Sequence, residues 1–201
     1  LPFLSDLKRN GVYYTPYFAL PWLLRTPALV TVHDCIFEHD ARYMPRRWGR
    51  LYYRLLMAAS MWRARVVFVP SKATARDVRR FYRVPARKLV VTPEAADASF
   101  RPIENAHVLT EVRERYALPD QFVLAIGARR PHKNFGMLVR AMSRLETAEL
   151  VFVGGADERF PDEAAEGAAK VSSRIPFRGA GPEGGVTELY TLSSVGASPT
   201  L

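Results

Sequence analysis

Arg129, Arg130 and Lys133 set three fixed positive charges on one short stretch, directly behind the apolar run Phe122 to Ile126 and Gly127. A strand that ends in glycine, passes into a cationic loop and then starts a helix is a layout for holding phosphate. Backbone N–H groups and the positive end of the helix face the point where the side-chain cations gather. Asn134 can cap that helix, whose apolar positions are Met137, Leu138, Ala141, Met142 and Leu145. The competing reading is a solvated loop on an ordinary strand-to-helix connection.

A second candidate is His33, at the end of the short apolar run Ala28 to Val32. Ligand groups of a parallel α/β sheet gather at the carboxyl ends of its strands, so His33 is a candidate for contacting a substrate or stabilising a transition state, with a structural histidine as the alternative. The repeat His33-Asp34 and His39-Asp40 raises a divalent cation as a third reading, but no further cluster supports it, and no metal is expected. Cys35 lacks any feature that would lower its pKa beyond the neighbouring histidine. Gly154 and Gly155 after Leu150 to Val153, and Gly179 after Ile175 to Arg178, are positions where a nucleotide can come close to bare backbone.

Strands and helices that would carry these groups alternate along the chain. Ala28 to Val32, Val66 to Val69 and Leu89 to Val91 read as strands. The spacing of Leu51, Leu55, Ala58, Ala59 and Trp62 predicts a helix over 48–63, and Ser71 is placed to cap a helix through Val78, Phe81 and Tyr82. The rhythm repeats as a helix over Val108 to Tyr116, strand 122–126, helix 134–146, strand 150–153, a helix over 162–171, strand 175–178, a helix over Val186 to Leu192 and a last strand over 195–201. Strand and helix in alternation predict an α/β fold of two Rossmann-like, doubly wound parallel-sheet domains. Pro93 to Asn105, polar and rich in proline, reads as the crossover, which gives domains of 1–98 and 99–201.

The chain has 201 residues, of which 48% are hydrophobic, enough to bury a core and to exclude a disordered tail. Lys and Arg number 29 against 20 Asp and Glu, a net +9 that favours an anionic partner. The excess is local: between Arg42 and Lys88 there are fourteen basic side chains against the single acid Asp77, and the rest of the chain is net acidic. Three readings of that stretch remain open. It can be an anionic lipid surface, a nucleic-acid site with Trp48, Tyr52, Tyr53 and Tyr82 as stacking partners, or a solvated face whose aromatics are core. A single cysteine excludes an intrachain disulfide framework and fits a reducing compartment. No apolar run approaches the roughly 18 residues of a membrane span, and the chain opens at Leu1 rather than Met, so the native start is expected upstream.

Taken in order, Thr31-Val-His-Asp34, Val69-Pro-Ser-Lys-Ala-Thr-Ala-Arg-Asp77, the crossover Val91-Thr-Pro-Glu-Ala-Ala-Asp97, Ile126-Gly-Ala-Arg-Arg-Pro-His-Lys-Asn134 and Leu150-Val-Phe-Val-Gly-Gly155 resemble the retaining GT-B glycosyltransferases of family 4, the glycosyl transferases group 1. The resemblance covers nearly the whole chain. It implies an acceptor-side domain at 1–98 and a nucleotide-sugar-binding domain at 99–201. The implied reaction passes a hexose, mannose for instance, from a nucleotide-sugar to a polysaccharide or lipid-linked acceptor, with retention and without a metal or other cofactor. His33 matches the histidine beside the transferred sugar. Gly127 and Lys133 match the donor diphosphate loop, while Ala128 stands where the family places an arginine, so Arg129 or Arg130 must substitute. The glycine-rich acceptor loop and the glutamate pair of the family are absent. The chain is therefore expected to be an internal piece of such an enzyme and inactive alone. A cytoplasmic location, with peripheral contact to the inner membrane face, is the corresponding expectation, and nucleic acid is not an expected partner.

Overall fold

Short runs of β-branched and aromatic residues become the strands of two parallel sheets, one in each of two compact units, Leu1–Ala95 and Ala96–Leu201. The computed structural model describes residues 11–21, 24, 26–44, 46–145, 147, 149–171, 177–178 and 185–200.

In the first unit, β1 (Tyr13–Thr15), β2 (Ala28–Thr31), β3 (Val66–Val69) and β4 (Leu89–Val91) lie side by side in chain order, all parallel. Alternation decides what each strand buries. Val30, Val67 and Val69 face inward, against α2 (Arg47–Arg63) and α3 (Lys72–Tyr82). A short helix α1 (Ile36–His39) and a 3₁₀ turn at Ala41–Tyr43 link β2 to α2. Ser71 caps α3 as expected, its Oγ accepting from the Thr74 N–H at 3.1 Å. Ser71→Ala is expected to destabilise this unit by about 1 kcal/mol, read from its denaturation midpoint, whereas Ser71→Asp retains the cap and most of the stability.

Two elements differ from the sequence expectation. β1 is a strand that no apolar run announces. In α2 the buried positions are Tyr53, Met57, Ser60 and Met61, while Leu51, Leu55 and Trp62, expected on the core face, are exposed. The helix carries two apolar stripes, and the one with the methionines packs on the sheet. Tyr82 is core, but Trp48 and Tyr52 are not.

The second unit contains α4 (Ala106–Arg115), β5 (Phe122–Ile126), α5 (Phe135–Met142), β6 (Glu149–Val153), α6 (Glu163–Val171), β7 (Phe177–Arg178), α7 (Val186–Leu192) and β8 (Val195–Gly196). Its strand order is β7-β6-β5-β8, all parallel. Ala125, Leu150 and Phe152 pack with Phe135, Val139 and Ala168 on one face. Leu124, Val151 and Val153 pack with Val112, Leu118 and Leu189 on the other. This sheet is doubly wound. Helix α5 stops at Met142 and β8 after Gly196, both shorter than expected, and residues 172–176 lie outside the described residues.

Because β6 and β7 lie on one side of β5 and β8 on the other, the loop leaving β5 sits where the strand order reverses. At such a point the neighbouring connections diverge and leave a crevice at the strand ends, the place where open α/β sheets take their ligands.

Candidate functional site

In the first unit the loops leaving β1, β2 and β4 converge. His33, two residues past β2, has both ring nitrogens engaged: Nδ1 is 2.5 Å from Glu94 Oε1, and Nε2 is 2.8 Å from the Pro16 carbonyl oxygen. An ionised carboxylate and a carbonyl only accept, so both contacts are hydrogen bonds together only in the imidazolium form, with both nitrogens donating. The Pro16 carbonyl raises the pKa of His33 above its ordinary 6.5, against a smaller opposing cost of burial, and Glu94 adds to the rise. With both nitrogens donating, His33 in this state presents positive charge and cannot act as a base. Tyr14, Pro16, Leu29, Thr31, Phe68 and Pro70 line a groove of about 520 Å³ beside it.

Glu94 is a member of this cluster that the sequence reading did not single out. The available signal was topological: parallel strands bring their C-terminal loops to one edge, so the acid after β4 had to fall near the histidine after β2. Glu94→Gln is expected to bring the His33 pKa back toward 6.5, measurable by NMR titration. A raised folded-state pKa means that stabilisation by the pair is complete below the unfolded value and is lost as pH rises through the folded one. The stability gap between native protein and variant is therefore widest in mild acid and closes toward alkaline pH. A gap that widened with pH would contradict the pairing.

In the second unit the loop Gly127 to Asn134 stands at the switch point. Gly127 has φ 137°, and a 3₁₀ turn at Pro131–Lys133 leads into Asn134 at φ 53°, from which α5 starts. Asn134 does not cap α5 through its side chain, contrary to expectation. Its left-handed backbone aims the amide elsewhere, and Nδ2 lies 3.6 Å from Met137 Sδ.

The three cations are not equivalent. Arg129 donates from Nε to Asp162 Oδ2 at 2.8 Å and from Nη1 to the Gly154 carbonyl at 2.7 Å, and its side chain is only 14% exposed. Arg130 donates to Asp157 at 2.9 Å and is 41% exposed. Asp157 is shared with Arg159, whose hydrogen bonds hold its carboxyl well below the usual range. The ammonium of Lys133 has no partner among the described residues. The two arginines therefore differ: Arg129 is a brace between the end of β6 and the loop before α6, Arg130 is a half-open cation, and Lys133 carries no such restraint among the described residues.

The glycines divide as well. A Cβ on Gly154, at φ 135°, would stand 2.3 Å from the Gly127 carbonyl oxygen, so this glycine serves the close approach of two backbone turns rather than a ligand. Gly155 faces open space. Gly179 lies outside the described residues.

The remaining candidates separate. Cys35 is buried, and that burial pushes its thiol up to about 12, which removes it as a nucleophile. His39 Nε2 bonds Asp77 at 2.8 Å, and Asp40 caps the turn that follows by accepting from the Arg42 N–H. Neither joins His33, and among the described residues no three His, Cys, Asp or Glu side chains gather as a metal cluster. No described helix is long and apolar enough to cross a membrane.

Comparison with known proteins bears on both units. A model of Glycosyltransferase Family 4 matches residues 10–100. The chain is 29% identical over 143 residues to the O-antigen chain mannosyltransferase B of Escherichia coli, covering 71% of this chain and 36% of that protein. Among solved structures, the sucrose-phosphate synthase of Thermosynechococcus elongatus gives a TM-score of 0.72 at 21% identity, over 94% of this chain and 50% of that one. Anabaena HepE in complex with UDP-glucose gives 0.70 at 17% identity, over 88% and 47%. The chain spans 17% to 36% of the length of such curated relatives and about half of these solved neighbours.

Proposed function

We propose that the chain is part of a GT-B glycosyltransferase of family 4, and that the whole protein transfers a hexose, mannose first among them, from a nucleotide-sugar to a saccharide or lipid-linked acceptor with retention of configuration. The observation that carries the reading is the loop Gly127 to Lys133 at the switch point of the second sheet, where the Lys133 ammonium has no partner among the described residues and the Arg130 guanidinium is half-open. Both the O-antigen mannosyltransferase relative and the neighbour solved with UDP-glucose support a nucleotide-sugar donor and a saccharide acceptor.

When the bond between the anomeric carbon and the diphosphate oxygen breaks, negative charge develops on the departing nucleoside diphosphate. Cations fixed before the reaction lower the energy of that state without reorganising. Lys133 and Arg130 are assigned this role, Arg130 exchanging its contact with Asp157 for phosphate. Arg129 holds the loop in place. His33, whose pKa Pro16 and Glu94 raise, is assigned to the transferred sugar's side as a charge and donor when protonated, and no resident metal or cofactor is invoked. Acting on a lipid-linked acceptor would bring the protein to the cytoplasmic face of a membrane. Residues 1–201 alone are expected to bind nucleotide weakly and not to turn over.

Calorimetric titration of the folded chain, and of the whole protein, with GDP, UDP and ADP tests the assignment. Saturable binding of one of them by the whole protein is the expected result and names the base. Absence of binding by both would sink the donor site.

A further inference from the structure

Helix α2 has a second face that the sheet does not use. Opposite Tyr53, Met57 and Met61 run Trp48, Leu51, Tyr52, Leu55 and Trp62, with Trp48 83% exposed and Tyr52 63% exposed. Their spacing of three, four and seven residues is that of one continuous stripe, about 20 Å long from Trp48 to Trp62. Isolated exposed apolar residues are ordinary, but a contiguous aromatic and leucine stripe on a well-packed helix marks a contact surface.

Arginines flank the stripe. Arg47, Arg50 and Arg54 line a groove of about 520 Å³ with Trp48 and Leu51. At the other end the stripe joins a second basic group. The Trp62 Nε1 donates to the Tyr82 carbonyl at 3.1 Å, and the Lys88 ammonium lies 5.9 Å from the Trp62 ring centre. Beyond Tyr82, Arg76, Arg79, Arg80 and Arg83 border one open groove. Two acids lie near these groups: Glu38 pairs with Arg54 at 3.1 Å and Asp77 with His39 at 2.8 Å, so of the arginines named here Arg54 is the one held by a carboxylate among the described residues.

We propose that the α2 stripe and the flanking arginines of α2 and α3 form a docking surface for an anionic phospholipid bilayer, with Trp48, Leu51, Tyr52 and Leu55 entering the headgroup boundary. The assignment goes beyond the donor-site reading and does not depend on it. Charge selects the occupant. A second copy would set two strongly basic faces against each other in a two-fold contact, which opposes association. Nucleic acid would satisfy the arginines but leave Leu51 and Leu55 on phosphates and water, since stacking on bases uses aromatic faces. A bilayer surface offers anionic headgroups and, within about 5–10 Å, acyl chains for the apolar stripe. Arginine stems cover apolar surface while their guanidinium groups stay at headgroup level, and tryptophan and tyrosine favour the same depth.

Flotation of the whole protein with phosphatidylcholine vesicles, with and without phosphatidylglycerol, tests this. Binding is expected only with the anionic lipid and weakens with salt. Trp48→Ser with Leu51→Ser should lower partitioning at least about tenfold, as loss of two buried apolar side chains requires. Arg79→Gln with Arg80→Gln should lower it about fivefold per charge removed. Phe100→Ser, an exposed aromatic of the crossover, should leave it unchanged. Far-ultraviolet circular dichroism and the denaturation midpoint report whether each variant is folded. Equal binding by the Trp48/Leu51 variant would overturn the proposal. So would self-association that the variant abolishes, binding of an oligonucleotide in place of vesicles, or a Trp48 shielded from quencher in the whole protein. Nucleotide titration of the same samples is independent, so loss of vesicle binding and loss of donor binding are separable.

Discussion

Lys133→Ala lowers the affinity of the whole protein for a nucleoside diphosphate about 10- to 100-fold, the loss that follows removal of a hydrogen bond to a charged group. The magnitude comes from the surroundings of the three cations. Lys133 has no carboxylate partner among the described residues, so the whole of its charge is available to a ligand. Arg130 must first leave Asp157, and part of its gain offsets that loss, so Arg130→Ala costs less affinity than Lys133→Ala. Arg129→Ala behaves differently. It removes the guanidinium that bonds Asp162 Oδ2 and the Gly154 carbonyl, so its first effect is on stability rather than on affinity measured at full folding. Isothermal titration of the three variants, each with a denaturation curve, separates these outcomes. An unchanged dissociation constant for Lys133→Ala would remove the donor-phosphate assignment from the loop.

Gly154→Ala destabilises the second unit by about 3 kcal/mol or more, while Gly155→Ala, one residue on, stays within about 0.5 kcal/mol. At Gly154 the strain is double. The φ of 135° is one that L side chains rarely adopt, and the new Cβ meets the Gly127 carbonyl carbon at 2.7 Å as well as its oxygen at 2.3 Å. That neighbour is backbone and cannot rotate away, so β5 and β6 must separate at their C-terminal ends, where Gly127 N–H donates to the Val153 carbonyl. Gly155 has nothing within 4 Å of its Cβ position and no positive φ. Denaturant midpoints of the two variants decide the matter. Similar values would show that the two turns are not packed as described. Because the strand ends carry the phosphate loop, Gly154→Ala is also expected to abolish nucleotide binding where the unit remains folded.

The contrast between those glycines marks a limit of reading residues in one dimension. Two glycines after an apolar run signal bare backbone, but only the partner turn, at a distant point in the chain, tells which of them is structural. The same holds for the arginines. Asp157 and Asp162 are about thirty residues beyond the loop they restrain, and no spacing rule connects them. The inner strands β3 and β6 are readable because Val66 to Val69 and Leu150 to Val153 are continuous apolar runs. Tyr13 to Thr15 was not, since three residues before Pro16 give no pattern. In α2 the period was legible and the face was not: Leu51, Leu55 and Trp62 fit a helical stripe as well as Tyr53, Met57 and Met61 do. Hydrophobic periodicity reports that a stripe exists, and only the sheet's shape decides which stripe it takes. Glu94 shows the opposite case, in which the topology expected from alternating strands and helices already implied a neighbour for His33.

The two sheets also differ in what they ask of a chain emerging from the ribosome. In the first, every strand pairs with the one made just before it, so the sheet can grow outward as residues appear. In the second, among the described residues, one edge of the central β5 is covered by β8, through Val123 with Val195 and Leu124 with Gly196. Until that late segment emerges, β5 presents an open row of backbone donors and acceptors, together with the apolar face that Leu189 covers in the finished unit. Such an edge invites pairing with other chains. The arrangement that opens a crevice for ligand thus makes the second unit the slow and association-prone step of biosynthesis, and the one with most to gain from a chaperone.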